Sequence, residues 1–206
     1  MTNSDSEEAS AEDIAWASFL TPLSVQALID FCQKDIERLL RINPFLEFKE
    51  WRDLGGERSH FIVRNFSQEV PFELDTELHS KVQPAGLKLQ YNDGLKLTTT
   101  FLIEPADEGS KLTITDYYNP HLSEEEKVAR LGEVDKSLEV WAGDLQKYIV
   151  RWNKWARFAP WRWYMTKVWQ PMKPTARRIT YMLLWISFVE VALILLGVGI
   201  YFMEFS

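Results

Sequence analysis

The chain contains two long segments in which apolar residues recur every three or four positions. Between Pro22 and Pro44, the segment SVQALIDFCQKDIERLLRIN has this spacing and predicts one amphipathic helix. A longer series begins at Ser123 and runs to Trp155, and Ser123 with Glu126 forms the capping-box signature of a helix start. Each predicted helix therefore has one apolar face to bury.

Strand-like segments of alternating apolar and polar residues lie between the two helices. Turn sequences such as YNDGLK and ADEGSK separate them, and this arrangement favours antiparallel hairpins. The segments are FLEFKEW, SHFIVRNF, VPFELDTELHS, LKLQY, LKLTTTFLIEP and SKLTITDYY. We predict an antiparallel sheet, with the long second helix covering one face.

This order of elements resembles the START-like helix-grip superfamily, also called SRPBCC or polyketide-cyclase-like. The resemblance covers residues 14–155 and rests on a short strand near AWASFLTP, on PLSVQALIDF running into INPFLEF, on the hairpins ending in GSKLTITDYY and on the final helix. It implies an α+β fold in which a curved antiparallel sheet wraps a long C-terminal helix. It also implies an apolar cavity of the kind that commonly takes a lipid, sterol, quinone or polyketide.

Polar and aromatic residues of the strands and the long helix are the candidates for contacting a ligand in such a cavity. Asp116 and Tyr118 end a strand, where they could orient a polar head, although packing at a strand end explains them as well. The alternation does not say which sheet face lines the cavity. The predicted ligand-binding residues are Arg64, His79, Tyr91, Thr99, Phe101, Asp116, Tyr118 and Trp141.

Residues 179–203 form a continuous apolar run interrupted by one acid, Glu190. The run makes about 37 Å of helix, compared with a hydrocarbon core of about 30 Å, so we predict a transmembrane helix. An ionisable residue near the middle of a span indicates either a contact with a membrane-protein partner or a protonated acid that a strong anchor tolerates. Both interpretations of Glu190 stay open.

Residues 156–178 are basic and rich in tryptophan, and positive residues precede the span while only Glu204 follows it. The positive-inside rule then places the N-terminal domain in the cytoplasm and the span in the cytoplasmic (inner) membrane, as a single-pass tail anchor. We predict that this segment forms a helix at an anionic phospholipid surface, with one face toward lipid. The residues of that face are Trp161, Met165, Val168, Trp169 and Met172. The alternative is that the aromatic residues pack on the domain. The predicted interface residues are Trp155, Trp161, Arg162, Trp163, Tyr164, Lys167, Trp169, Lys173, Arg177 and Arg178.

The charge distribution limits the partners that the chain can have. The net charge is -7, whereas residues 151–178 contain eight cations and no acid, which argues against nucleic-acid binding by the whole surface. The predicted organisation is an acidic disordered tail at 1–13 without a signal-peptide pattern, the domain at 14–155, the juxtamembrane segment at 156–178 and the span at 179–203.

The residues give no pattern for a metal, a cofactor or a nucleophile. His60, His79 and His121 are scattered and Cys32 stands alone, so we predict no metal or cofactor and do not favour an enzyme. The leading hypothesis is a membrane-anchored cytoplasmic domain that binds a hydrophobic small molecule of the lipid, quinone or isoprenoid class. The alternative is an accessory or assembly subunit of a membrane complex, whose domain would have a filled interior. A third hypothesis, a polyketide cyclase, rests on the resemblance alone. The interior volume discriminates between the first two.

Overall fold

The computed structural model describes residues 14–94, 96–119, 125 and 136–205. The strands are β1 Ile14–Thr21, β2 Leu46–Gly55, β3 Arg58–Asn65, β4 Phe72–Gln83, β5 Gly86–Tyr91, β6 Lys96–Ala106 and β7 Gly109–Tyr118. The helices are α1 Val25–Lys34, α2 Ile36–Arg41, α3 Leu138–Trp155, α4 Ala159–Trp163 and α5 Pro174–Phe205, with a π-helical turn at Tyr164–Trp169.

The strands form one antiparallel sheet, as predicted, and their order is β1-β7-β6-β5-β4-β3-β2. Strands β2 to β7 follow one another as hairpins, and β1 adds to the outer edge of β7. Strands β3 to β7 each have an inward face of buried side chains because successive residues point to opposite sides of a sheet.

Helix α3 is held against the inner face of this sheet. Trp141 is buried, its ring lies edge-on to Phe101 at 5.7 Å between centroids, and its indole N–H donates to the carbonyl of Leu39 at 3.3 Å. Farther along, Gln146 donates to the carbonyl of Leu20 in β1 at 3.0 Å. The predicted start of this helix at Ser123 lies outside the described residues, and the described helix begins at Leu138.

The single helix predicted between Pro22 and Pro44 is wrong, because Asp35 divides it into α1 and α2. Asp35 leaves the helical conformation, with φ -153° and ψ 89°, and its carboxylate accepts the backbone N–H of Arg38 at 2.9 Å. This N-cap starts a new helix at an angle that buries both Cys32 and Leu39. Burial also raises the pKa of the Cys32 thiol to about 12, so the side chain acts as an inert core group.

The segment after α3 folds back on the domain instead of turning its apolar side chains to lipid. Met165 is buried in the core, Trp161 lies 5.5 Å from Trp152, and Trp169 lies 5.5 Å from Tyr148, between ring centroids. The predicted orientation toward lipid is therefore wrong for Met165, while Trp161 and Trp169 are half-buried against α3. The observed contacts agree with the alternative, packing on the domain, because they cover the aromatic face of α3.

Helix α5 leaves the domain with its side chains exposed. Residues Pro174–Tyr201 are long and apolar enough to cross a membrane, with a mean hydropathy of 2.4 and none of the most apolar window buried. Length and composition alone make this helix a candidate membrane span.

The back-folded segment leads to a stability prediction. Met165→Ala should lower the free energy of unfolding by about 2 to 4 kcal/mol, because it leaves a cavity in the packed core. Urea denaturation of the full chain in mild detergent, followed by tryptophan fluorescence, measures the change. Lys167→Ala, exposed on the same turn, is the matched control and should change little. Equal, small changes in both variants would mean that the segment does not pack on the domain.

Candidate functional site

A cavity of about 300 Å³ lies between α2, the strands β2 to β4 and the beginning of β6. This volume is at the lower end of the range of small-molecule sites, which is about 300 to 1,000 Å³. The apolar part of the lining consists of Leu40, Leu46, Phe48, Phe61, Val63, Phe72 and Leu74. The remaining lining residues are Asn65, Glu73, Asp75, Tyr91, Asp93, Gly94 and Lys96. The cavity is thus mainly apolar, with polar groups that can orient a ligand.

One wall of the cavity is built from aromatic rings that hold one another in place. Trp51 and Phe61 face each other across β2 and β3, and their rings stack at 5.6 Å with an interplanar angle of 6°. Phe48 packs on Phe61 at 5.7 Å, and Tyr91 meets Phe61 edge-on at 6.5 Å. Cross-strand aromatic pairs of this kind are stabilising and leave little freedom to the rings. The lining rings of Phe48 and Tyr91 are inclined to Phe61 by 57° and 87°, so the wall offers a fixed, angled apolar surface, and Trp51 supports it from outside the lining.

The polar end of the cavity contains a buried ion pair. The ammonium of Lys96 lies 2.9 Å from one carboxylate oxygen of Asp116, whose side chain is completely buried, while that of Lys96 is 18% exposed. The other carboxylate oxygen accepts the hydroxyl of Thr99, which also lies 3.3 Å from the hydroxyl of Tyr91. The four groups form a continuous hydrogen-bonded chain across β5, β6 and β7.

A β-bulge explains why Lys96 faces inward. Thr99 lies opposite Asp116 and Thr98 opposite Tyr117, but Lys96, rather than residue 97, lies opposite Tyr118. Residues directly opposed in an antiparallel pair share a face, so Lys96 shares the face of Asp116. Regular alternation from Thr99 would have turned Lys96 outward. The extra residue therefore aims the ammonium into the cavity.

The ion pair gives the cavity a donor in an apolar setting. A fully buried carboxylate is unfavourable unless it is paired, and Lys96 supplies the compensating charge to Asp116. An ammonium carries three N–H donors, so Lys96 can bond an oxygen of a ligand while it keeps Asp116. This arrangement suits the binding and orientation of a ligand. No group of three metal-ligating side chains occurs in the part of the chain that the structure describes.

The structure brings together some of the predicted ligand-binding residues and separates others. Tyr91 lines the cavity, and Thr99 and Asp116 lie directly behind it. Tyr118 is half-buried on the face of Asp116, whereas Phe101 and Trp141 pack against each other outside the lining. Arg64 is exposed and stacks on Phe66 at 5.1 Å, and His79 lies on the outer sheet face, since its neighbour Leu78 is buried.

Sequence reasoning missed Lys96 and the aromatic wall. The alternating pattern contains Phe61 and Val63 on one face of β3 but does not say that this face is the cavity face. Lys96 could not be found, because nothing in YNDGLKL marks the bulge that reverses its direction.

Comparison with known proteins identifies the fold. No protein-family model matches the sequence, and no curated protein is similar to it in sequence. The crystal structure of TTHA0849 from Thermus thermophilus is similar, with 14% identity and a TM-score of 0.50, over 67% of this chain and 97% of that chain.

Two further solved structures have lower TM-scores. The lipid transfer and protein localization domain of human StarD13 is 14% identical, with 66% of this chain and 76% of that chain covered and a TM-score of 0.38. The Polyketide_cyc-like protein Cgl2372 from Corynebacterium glutamicum is 15% identical, with 83% and 93% covered and a TM-score of 0.33. The sheet topology and the likeness to TTHA0849 show a helix-grip fold, and the resemblance predicted from the sequence is confirmed at the level of the fold.

The buried ion pair gives a prediction for stability. Lys96→Met should lower the free energy of unfolding by about 3 kcal/mol, because it leaves the buried carboxylate of Asp116 uncompensated. The double variant Lys96→Met/Asp116→Asn should recover more than half of that loss. Chemical denaturation of the full chain measures both.

Lys88→Met is the matched control for this experiment. Lys88 lies between buried Leu87 and Leu89 and so points from the outer face of β5. A loss of stability as large in Lys88→Met as in Lys96→Met would contradict the role of the pair.

Proposed function

We propose that the protein is a membrane-anchored domain on the cytoplasmic face of the inner membrane, where it binds a hydrophobic small molecule. The cavity of about 300 Å³, with its aromatic wall and its single inward ammonium, carries this proposal. Helix-grip proteins typically bind hydrophobic ligands. An accessory subunit with a filled interior fits the cavity less well.

The lining restricts the chemistry of the ligand. The inclined rings of Phe48, Phe61 and Tyr91 suit an apolar ring or an unsaturated chain, and Lys96 suits a carbonyl or phenol oxygen at one end. The volume admits one ring system or the head of a longer molecule, and it is too small for a whole two-chain phospholipid. A quinone or isoprenoid head or a single-chain lipid meets these conditions.

Contacts between the domain and the root of α5 support presentation of this cavity at the bilayer. The guanidinium of Arg177 donates to the carbonyl of Arg41 at 2.7 Å, and Lys173 pairs with Glu47 at 2.6 Å. Arg41 and Glu47 are the neighbours of Leu40 and Leu46, which line the cavity. An anchor attached so near the cavity raises its effective concentration at the membrane.

Blocking the cavity tests the binding function. Leu74→Trp should reduce the amount of retained small molecule at least tenfold, because the larger side chain fills the site. The full chain is purified in mild detergent from its native host, and the bound molecule is identified by native mass spectrometry and solvent extraction.

Leu102→Trp is the matched control, since Leu102 is 45% exposed on β6. It should retain as much of the molecule as the wild type does. The absence of any stoichiometric molecule in the wild type, or equal retention in both variants, would refute the proposal.

Glu190 is an exposed acid within the proposed span, and we propose that it contacts a polar group on a neighbouring membrane helix. Glu190→Leu should then reduce co-purification of a stoichiometric membrane partner, or the size of the chain's own oligomer, in mild detergent. Native mass spectrometry measures both quantities. Val189→Leu, at the adjacent position, serves as the control. If Glu190→Leu leaves both the partner and the oligomer size unchanged, the proposed contact is refuted and the acid is a passive part of the anchor.

A further inference from the structure

A second concavity lies where α5 leaves the domain, separate from the ligand cavity. Its volume is about 620 Å³, and α3, the back-folded segment and the first turns of α5 line it. Tyr148, Trp161 and Tyr164 give it an aromatic wall. Burial raises the pKa of Tyr148 to about 12, so its phenol stays neutral and adds no negative charge. We call this concavity the anchor groove.

The anchor groove is strongly positive. Four cations line it, namely Lys147, Arg151, Arg177 and Arg178, against one acid, Asp144. Lys147 pairs with Asp144 at 3.0 Å. Arg151 and Arg178 are exposed and form no ion pair with any residue that the structure describes. Two arginines that have no counter-ion among the described residues therefore face the same groove.

Arg177 has a structural role in the groove. Its guanidinium donates to the carbonyls of Trp169 at 3.0 Å, Gln170 at 2.8 Å and Arg41 at 2.7 Å, and it stacks on the Trp169 ring at 4.1 Å. These contacts fix the first turn of α5 against the domain. They therefore fix the position of the neighbouring Arg178.

The groove continues from the level of the cations into the apolar part of α5. Tyr181 and Leu184 also line it, and Leu184 lies about 9 Å farther along the helix axis than Arg178. Glu190 follows Tyr181 by about two and a half turns, which places it on the opposite side of the helix. The groove thus has a cationic end and an apolar end, and Glu190 does not face it.

We infer that the anchor groove binds one anionic phospholipid. Arg151 and Arg178 hold its phosphate through charge-assisted hydrogen bonds, and the beginning of an acyl chain lies against Tyr181 and Leu184. This inference rests on the proposed insertion of α5 in the membrane and is independent of the ligand in the cavity. A specific site of this kind differs from diffuse electrostatic attraction to an anionic membrane, to which every exposed cation of the segment contributes equally.

Native mass spectrometry of the full chain in mild detergent tests the groove. The chain is titrated with phosphatidylglycerol and, separately, with phosphatidylcholine. We expect one phosphatidylglycerol bound per chain, at least tenfold more tightly than phosphatidylcholine. Arg151→Gln/Arg178→Gln should weaken that binding at least tenfold. An excess of inorganic phosphate should not displace the lipid, because phosphate lacks the acyl chain.

Arg157→Gln/Arg162→Gln is the matched control, since it removes two exposed arginines of the same segment that do not line the groove. It should keep the wild-type affinity. Equal losses in the two double variants, no one-to-one adduct, or displacement by phosphate would each overturn the inference. A chain that stays monodisperse without detergent would instead refute the membrane anchor. Melting temperatures equal to the wild type's would exclude loss of folding.

Discussion

The packing of α3 determines where the domain is solid and where it is hollow. Trp141 of α3 fills the inner face of the sheet against Phe101, and Gln146 ties the helix to β1 at the far edge. No residue of the described part of α3 lines the ligand cavity, which lies toward β2, β3 and β4. A straight helix cannot cover the whole of a strongly twisted sheet. The cavity therefore occupies the side that α3 leaves uncovered, and α2 closes it there.

The two concave sites differ in how their charges are arranged. In the cavity, the ammonium of Lys96 is neutralised by Asp116, and Glu73, Asp75 and Asp93 also belong to the lining, so a ligand meets a directed donor without an excess of positive charge. In the anchor groove, Arg151 and Arg178 have no counter-ion among the described residues, so the field is open to an anion. The first arrangement favours a neutral or weakly polar molecule, and the second favours a phosphate.

Much of the fold could be predicted from the sequence, because alternation and turn residues are local signals. Six of the seven strands followed from them, the long helix followed from its three-to-four-residue periodicity, and the strand near AWASFLTP was expected only from the family resemblance. The break at Asp35 was not predicted, since its cap competes with a helix that the spacing also allows. The candidate site was found only in part. Tyr91, Thr99 and Asp116 lie on regular strands, whereas Lys96 depends on a bulge and Met165 on a back-folded segment. The positions of Lys96 and Met165 both depend on tertiary packing, which the periodicity of the sequence does not predict.

The contacts at the root of α5 connect the orientation of the cavity to the anchor. The Lys173–Glu47 pair contributes little, because the lysine side chain is 70% exposed and such pairs contribute at most about 1 kcal/mol. Arg177 contributes more, because its half-buried guanidinium bonds three carbonyls, one of them in Arg41 at the end of α2. Rotation of the domain about α5 would break all of these bonds together. A lipid held by Arg178, the next residue, would therefore stabilise the orientation in which the proposed function requires the cavity to lie beside the bilayer.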